Sequence, residues 1–437
     1  MRKELKRFDR QGLARAGFAG AAAVLLLLAA ACGSGSSSVA SSTSKVTITF
    51  AWWGNASRAK STVDALKLFE KAHPNITVDT EYTPFGSYEQ KISTQAAGGD
   101  LPDLITIDRG VQNEYAQRGM LADLTTYVGK SLQLSGLNSA FVASGQTSGK
   151  QYAVPMAQAT QTFVVDQTRV QSLGLSMPQA DWTWAQWQSW GEQVTTKSHG
   201  KYYGLVDPGT LWSAFQAWEI QHGTSMYKNG KINFTVADLT AWWTTCSNLR
   251  KSGAATNAQL TATVDGLPDD EPLLKGRAVA EWDIDSLYTM YAAGTADKLT
   301  LVSLPAVSGQ TGMIESPSMM LGVSANSPHA AEAVELMNFL INSPQAASAL
   351  GTSRGLFPNL QVRQSMANGA TGATQTVYSY ESAQANGFAP TPPAPPKGDG
   401  QLLTLMISTY QKVAFGQLTP AAAAQQFYSQ AQGIIGQ

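Results

Sequence analysis

The chain has 437 residues, with 30 Lys/Arg against 31 Asp/Glu, a net charge of −1, and 43% hydrophobic residues. That length supports more than one lobe, and a balanced charge argues against nucleic acid as a partner, which demands clustered positive charge. Two cysteines, Cys32 and Cys246, leave the fold to rest on a buried apolar core.

The N-terminus predicts an address rather than a fold. Arg2, Lys3, Lys6, Arg7, Arg10 and Arg15 form a basic head, and an uncharged run from Ala16 to Ala31 follows, with Leu25–Leu28 at its centre. A basic head, an apolar centre and small residues before a cut describe a secretory signal over residues 1–31. Ala30-Ala31-Cys32-Gly33 resembles the lipobox of bacterial lipoproteins, with Leu28 one step earlier than the usual leucine. That resemblance implies a lipid on Cys32 and attachment to the outer face of the cell membrane. The alternatives are an ordinary cleaved signal or a spanning anchor, and the run is short for a span of ~20 residues. Removing residues 1–31 leaves 24 basic and 29 acidic groups, net −5. No later segment is apolar enough to cross a bilayer. Cys246, in an aromatic stretch, reads as a small buried hydrophobe before it reads as a nucleophile.

Residues 32–45 are mostly Gly, Ser, Ala and Thr and predict a flexible tether. Val46, Ile48 and Phe50 then alternate with threonines, a strand that runs into Trp52-Trp53-Gly54-Asn55. A helix carrying Val63, Leu66, Leu68 and Phe69 is broken at His73-Pro74-Asn75, and Ile76-Thr77-Val78 is a second strand. A helix from about Tyr88 to Ala97, a turn at Gly98–Asp103 and the strand Leu104–Ile107 lead to Asp108-Arg109. Strand–helix–strand alternation predicts a mostly parallel sheet with helices on both faces, and ligands bind beyond the carboxyl ends of such strands. Strand order alone therefore places Trp53, Asn55, Asp108 and Arg109 on one rim.

Further on, Gly149–Pro155 reads as a turn and short strand, and Thr162–Asp166 as another strand. Thr183-Trp184-Ala185-Gln186 fits a capping box opening an aromatic helix. Leu273–Trp282 ends a helix and starts a strand, and a long helix spans Pro328 to Leu340. A proline-rich stretch covers 390–396.

Four of these segments carry a family resemblance. Tyr88–Leu104, with its Gly99-Asp100-Leu101-Pro102-Asp103 turn, Gly149-Lys150-Gln151-Tyr152-Ala153-Val154-Pro155, Leu274–Ala280, and Ser327–Ala346 occur in family order. Together they resemble the extracellular solute-binding proteins of ABC sugar importers, the group that includes maltose-binding protein. The resemblance implies an α/β, periplasmic-binding-protein-like fold: two doubly wound lobes joined by hinge crossings, with a ligand cleft between them. It implies an N-terminal lobe of 46–157 and 306–360 and a C-terminal lobe of 158–305 and 361–437. One crossing falls at Met156–Thr160 and another near Leu304-Pro305. The implied partners are a carbohydrate, captured by lobe closure, and the transmembrane subunits of an ABC permease, with the protein itself a monomer that needs no cofactor.

Sugars offer hydroxyl edges and C–H faces, so a sugar site wants planar polar groups around an aromatic platform. Most of the 11 tryptophans suit packing, notably Trp184, Trp187 and Trp190 at helical spacing and the pair Trp242-Trp243. Trp53, Trp212 and Trp282 follow strands or loops, where the family places ligand contacts. Asp108 and Arg109 end a strand, and Asp283, Gln158 and Arg354 complete the candidate set. Competing chemistry is poorly supported. Gly351-Thr352-Ser353-Arg354-Gly355 matches a nucleophile elbow in letters, but a helix precedes it where a strand is required. Asp269-Asp270-Glu271 reads as solvated surface rather than a glycosidase pair. His73, His199, His222 and His329 lack zinc spacing, and no phosphate-binding loop is present. A different solute (a polyamine, a phosphate ester or an iron complex) and a secreted carbohydrate-active enzyme remain the alternatives.

Overall fold

The computed structural model describes residues 44–264, 271–385 and 387–435. The signal segment 1–31, Cys32, nearly all of the tether and Asp269-Asp270 lie outside them. The strands that set the architecture are β1 (Val46–Trp53), β2 (Ile76–Thr83), β3 (Leu104–Ile107), β4 (Ala153–Ala159), β5 (Gln161–Asp166), β6 (Tyr203–Leu205), β7 (Ala278–Ile284), β8 (Leu299–Val302) and β9 (Ser316–Val323). They form two sheets, ordered β2-β1-β3-β9-β4 and β8-β5-β7-β6. Each sheet, with its helices, is one α/β lobe.

In the first lobe β1 pairs parallel with β2 and β3, as the alternation of strands and helices predicts. Its period-2 burial gives way to an unbroken buried run at Phe50–Trp53, where it has a neighbour on each side. The helix Ala56–Ala72 starts because the Asn55 side chain accepts from the Arg58 N–H at 2.9 Å, a helix cap. It stops at His73, just before Pro74. The helix Phe85–Gly98 closes on Gly99, whose φ of +79° suits a residue without Cβ. The helix Arg109–Gln117 is capped by Asp108, which accepts from the Gly110 N–H at 2.7 Å. Only β9 departs from the parallel pattern, running antiparallel to both β3 and β4. It arrives from the other lobe and so enters this sheet from the opposite end.

The second lobe packs its sheet under tryptophans. Trp187 stacks on Phe163 with ring centroids 4.2 Å apart, and Trp184, Trp190, Trp242 and Trp243 join the same core. The helical spacing of these residues is therefore packing, as read. Cys246 is buried among them, and burial pushes its thiol well up from its usual range. Here the pairing is mostly antiparallel: β5 lies between β7 and β8, and only β7 and β6 run parallel.

Three passages of chain run between the sheets. Thr160 separates β4 from β5, and its N–H donates to Asp285 Oδ1 at 2.9 Å. Residues 303–315 return from β8 to β9. The third follows the helix Pro344–Leu350. Phe357 and Val362 belong to the first core, whereas Val377, Tyr378 and Tyr380 pack with Val164 and Leu301 of the second sheet. The first and third passages are pinned together, because Gln158 and Leu356 exchange backbone hydrogen bonds of 2.9 and 2.7 Å. That approach needs Gly355, at φ +115°, where an added Cβ would meet Gln158 O at 1.9 Å.

The C-terminal helices Asp399–Ala414 and Pro420–Ile435 put Leu402, Met406, Tyr410 and Phe427 into the second core. Tyr410 also closes a buried ion pair: its hydroxyl donates to Asp207, which accepts from Arg250 Nη1 at 2.6 Å. A buried charge pair of this kind holds only while both partners are present.

Candidate functional site

A cavity of about 720 Å³ lies between the lobes and takes walls from both. The first lobe contributes Asp108, Arg109 and Gly110 at the start of a helix, and Ser316-Pro317 at the start of β9. The second contributes Thr210–Ser213, Gln216 and Ile220 around the helix Trp212–Gln221, with Met226 and Tyr227 beyond it. A proline-rich strap, 389–396, and Asp399, Leu403 and Ile407 complete the wall. Clefts with an apolar lining and a few convergent polar groups are where small molecules bind.

Asp399 organises the polar end. Trp212 Nε1 donates to its Oδ1 at 3.2 Å, and the Tyr227 hydroxyl donates to the same oxygen. Burial pushes this carboxyl up to about 6, despite those two donors. Burial also raises Asp108, against the opposing pull of the Gly110 N–H and of Arg109. The Arg109 guanidinium is itself drawn down by burial and held up by Asp399 and Asp108.

Arg109 also ties the strap to the first lobe. Its Nη2 donates to the carbonyls of Pro392 and Pro393, the second at 2.7 Å, and Asn113 Nδ2 donates to Pro395 O at 3.2 Å. Proline has no N–H, so the carbonyl is the only backbone polar group the strap must satisfy at these positions.

Of the residues singled out from sequence, Asp108, Arg109 and Trp212 come together on this cavity. The others lie elsewhere. Trp53 packs at the end of β1 against Phe85 and Tyr88, and Asn55 is a helix cap. Trp282 stacks on Trp184 inside the second core, with an edge contact to Phe163. Asp283 accepts from the Tyr291 hydroxyl at 2.8 Å, and burial pushes its carboxyl up to about 7. Gln158, fully buried at the first passage, donates to Glu381 Oε2 at 2.9 Å. Arg354 is buried against the Thr62 hydroxyl. Tyr227, Gln216, Asp399 and the strap's role as a wall were not read from sequence. The one signal was the Pro-rich run ending in Gly398-Asp399, where a helix begins.

Glu271 corrects another expectation. It is buried, not solvated, and faces Glu281, whose carboxyl is pushed well up by burial and by that neighbour. Neither lines the cavity. Among the described residues, no group of His, Cys, Asp and Glu is arranged to hold a metal ion.

Comparison with known proteins fits this architecture. A solved extracellular solute-binding protein family 1 structure from Alicyclobacillus acidocaldarius is 29% identical, covering 90% of this chain and 99% of that one, with a TM-score of 0.69. A periplasmic oligogalacturonide-binding protein from Yersinia enterocolitica, solved with saturated digalacturonic acid, has a TM-score of 0.79 at 23% identity, covering 90% and 99%. An ABC substrate-binding protein from Listeria monocytogenes, solved with cycloalternan, has a TM-score of 0.78 at 22% identity over the same shares. Curated relatives from Brucella abortus are 25% identical over 116 residues, and the match spans 28% of their length and 26% of this chain. The family description "Bacterial extracellular solute-binding protein" matches residues 54–347, the stretch that supplies every strand of the two sheets except β1, and the chain belongs to that family.

Proposed function

We propose that this protein captures a carbohydrate outside the cell membrane and delivers it to an ABC permease. In this reading the mature chain is held to the membrane by lipid on Cys32. The observation that carries it is the cavity shared by the two lobes, lined by Trp212 and Tyr227 beside Asp108, Arg109, Gln216 and Asp399. Ring faces take up the C–H patches of a sugar, and planar polar groups meet its hydroxyls. A ligand touching both lobes favours the closed arrangement and so reports occupancy to the permease. The solved Yersinia and Listeria proteins, each with a saccharide, support a carbohydrate over a polyamine or phosphate ester.

The test is a thermal-shift screen of the purified full-length protein against mono- and oligosaccharides, polyamines and phosphate esters. A ligand that binds only the folded state raises the melting temperature by mass action. A shift with saccharides, each recovered unaltered, is expected. Shifts confined to polyamines or phosphate esters, or a saccharide returned as fragments, would refute the proposal.

A further inference from the structure

The charge on the cavity wall narrows the ligand class within the carbohydrate reading, on which this step rests. Among the described lining residues the charged side chains are Asp108, Asp399 and Arg109, two negative and one positive. The positive one is tethered by its Nη2, which donates to the Pro392 and Pro393 carbonyls, while its buried Nε has no hydrogen-bond partner among the described residues. The two carboxylates come from opposite lobes and converge on Gly110. A Cβ at that position would lie 3.0 Å from Asp108 Oδ1 and 3.2 Å from Asp399 Oδ2. Both donors to Asp399, Trp212 and Tyr227, reach Oδ1; among the described residues no hydrogen bond is donated to Oδ2.

From this convergence we infer that the cavity takes an amino sugar, with its ammonium seated beside Asp399 and Asp108 and a sugar ring face on Trp212. Each carboxylate sits at the start of a helix, which favours its charged form, yet burial still raises both. The helix ends therefore do not offset the desolvation, and a ligand cation supplies what they lack. An ammonium donates charge-assisted hydrogen bonds to carboxylate oxygens, and Asp399 Oδ2 is the oxygen left open to receive one. A uronic acid would instead add a carboxylate to a wall that stays net negative with Arg109 counted, a like-charge contact that disfavours binding. The saccharide class of the Yersinia protein is thus the one this wall rejects.

The inference also fixes a pH dependence. The groups facing Asp399 are the Tyr227 hydroxyl, Asp108 and Arg109, with Glu89 in turn facing Asp108. An ammonium favours ionised Asp399, so affinity for the amino sugar falls as the pH drops through about 6.

Isothermal titration of the full-length protein tests this at pH 7 with three disaccharides: glucosamine dimer, its N-acetylated counterpart and digalacturonic acid. The free amine should bind about tenfold or more tighter than the acetylated form, the margin of a charged over a neutral hydrogen bond. Digalacturonic acid should show no heat of binding. Asp399→Asn should erase the preference, and in the wild type the preference should fade at pH 5. Equal or tighter binding of the acetylated dimer, binding of digalacturonic acid, or a preference that survives both Asp399→Asn and pH 5 would overturn the inference. Binding of neutral saccharides without amine preference overturns this step alone, whereas failure of every saccharide overturns the carbohydrate reading with it.

Discussion

Glu219 offers a stability test on the helix that carries Trp212. Its residue is fully buried, and neither carboxyl oxygen has a hydrogen-bond partner among the described residues. Burial, with Asp238 nearby, pushes the carboxyl from an ordinary 4.5 up to about 8. The folded protein therefore holds a proton at neutral pH that the unfolded chain has released. Because the native state binds more protons between these two values, its stability is complete below about 4.5 and declines as the pH rises toward 8. Integrating that difference from pH 5 to 8 gives a loss of about 3 kcal/mol. Glutamine keeps the shape and does not titrate. Guanidinium denaturation of wild type and Glu219→Gln at pH 5, 6, 7 and 8 should thus show a stability difference that grows by about 3 kcal/mol in favour of the variant. Glu89 and Asp283, pushed up to about 7, and Asp399, up to about 6, tilt both proteins the same way and cancel in the difference. A difference flat across this pH range would refute the argument from burial.

Other perturbations probe the hinge, the buried charge and the strap. Arg250→Ala strands the Asp207 carboxylate in the second core and should cost about 3–5 kcal/mol by chemical denaturation. Tyr410→Phe, which leaves that ion pair in place, should cost about 1–2 kcal/mol. Gly355→Ala drives a methyl into Gln158 O and places a side chain at positive φ, so a loss of at least about 2 kcal/mol should appear in the same assay. Arg109→Ala releases the Pro392 and Pro393 carbonyls; trypsin should then cut after Lys397 about tenfold faster or more, since hydrogen bonds to a charged group contribute ~1.5–3 kcal/mol.

The first lobe was legible because its signals are local. Alternation marks β1, Asn55 and Asp108 cap the helices that follow, and Pro74 and Gly99 mark their ends, all within a few residues of the element they define. Strand ends then place Asp108 and Arg109 on a rim without any knowledge of the rest of the chain. The second sheet is not local. Trp282 pairs with Phe163 across more than a hundred residues, and β8 joins β5 from the far side. Period-2 spacing says which residues of β7 share a face, but not which face a helix covers. Here the helix Trp184–Lys197 lies over it, so Trp282 is core in this arrangement, although its place at a strand end suggests a rim. Asp399 was harder still, because its donors sit at Trp212 and Tyr227, far back in the chain, and no periodicity links them.

The strap explains how one buried guanidinium serves two ends. The helices on either side of it, Gly372–Gln384 and Asp399–Ala414, pack on the second lobe, yet its carbonyls are held by Arg109 and Asn113 of the first. A proline-rich run loses little conformational freedom on being fixed, and its five prolines bring no N–H that a ligand must satisfy, so it makes a stiff, mostly apolar wall. What it lacks is a donor for its own carbonyls. Arg109 supplies that donor from across the cleft, and its charge meanwhile offsets one of the two carboxylates behind it. Replacing Arg109 would therefore loosen the wall and deepen the negative charge at the same time. Strap mobility and ligand charge preference are for that reason coupled through a single side chain.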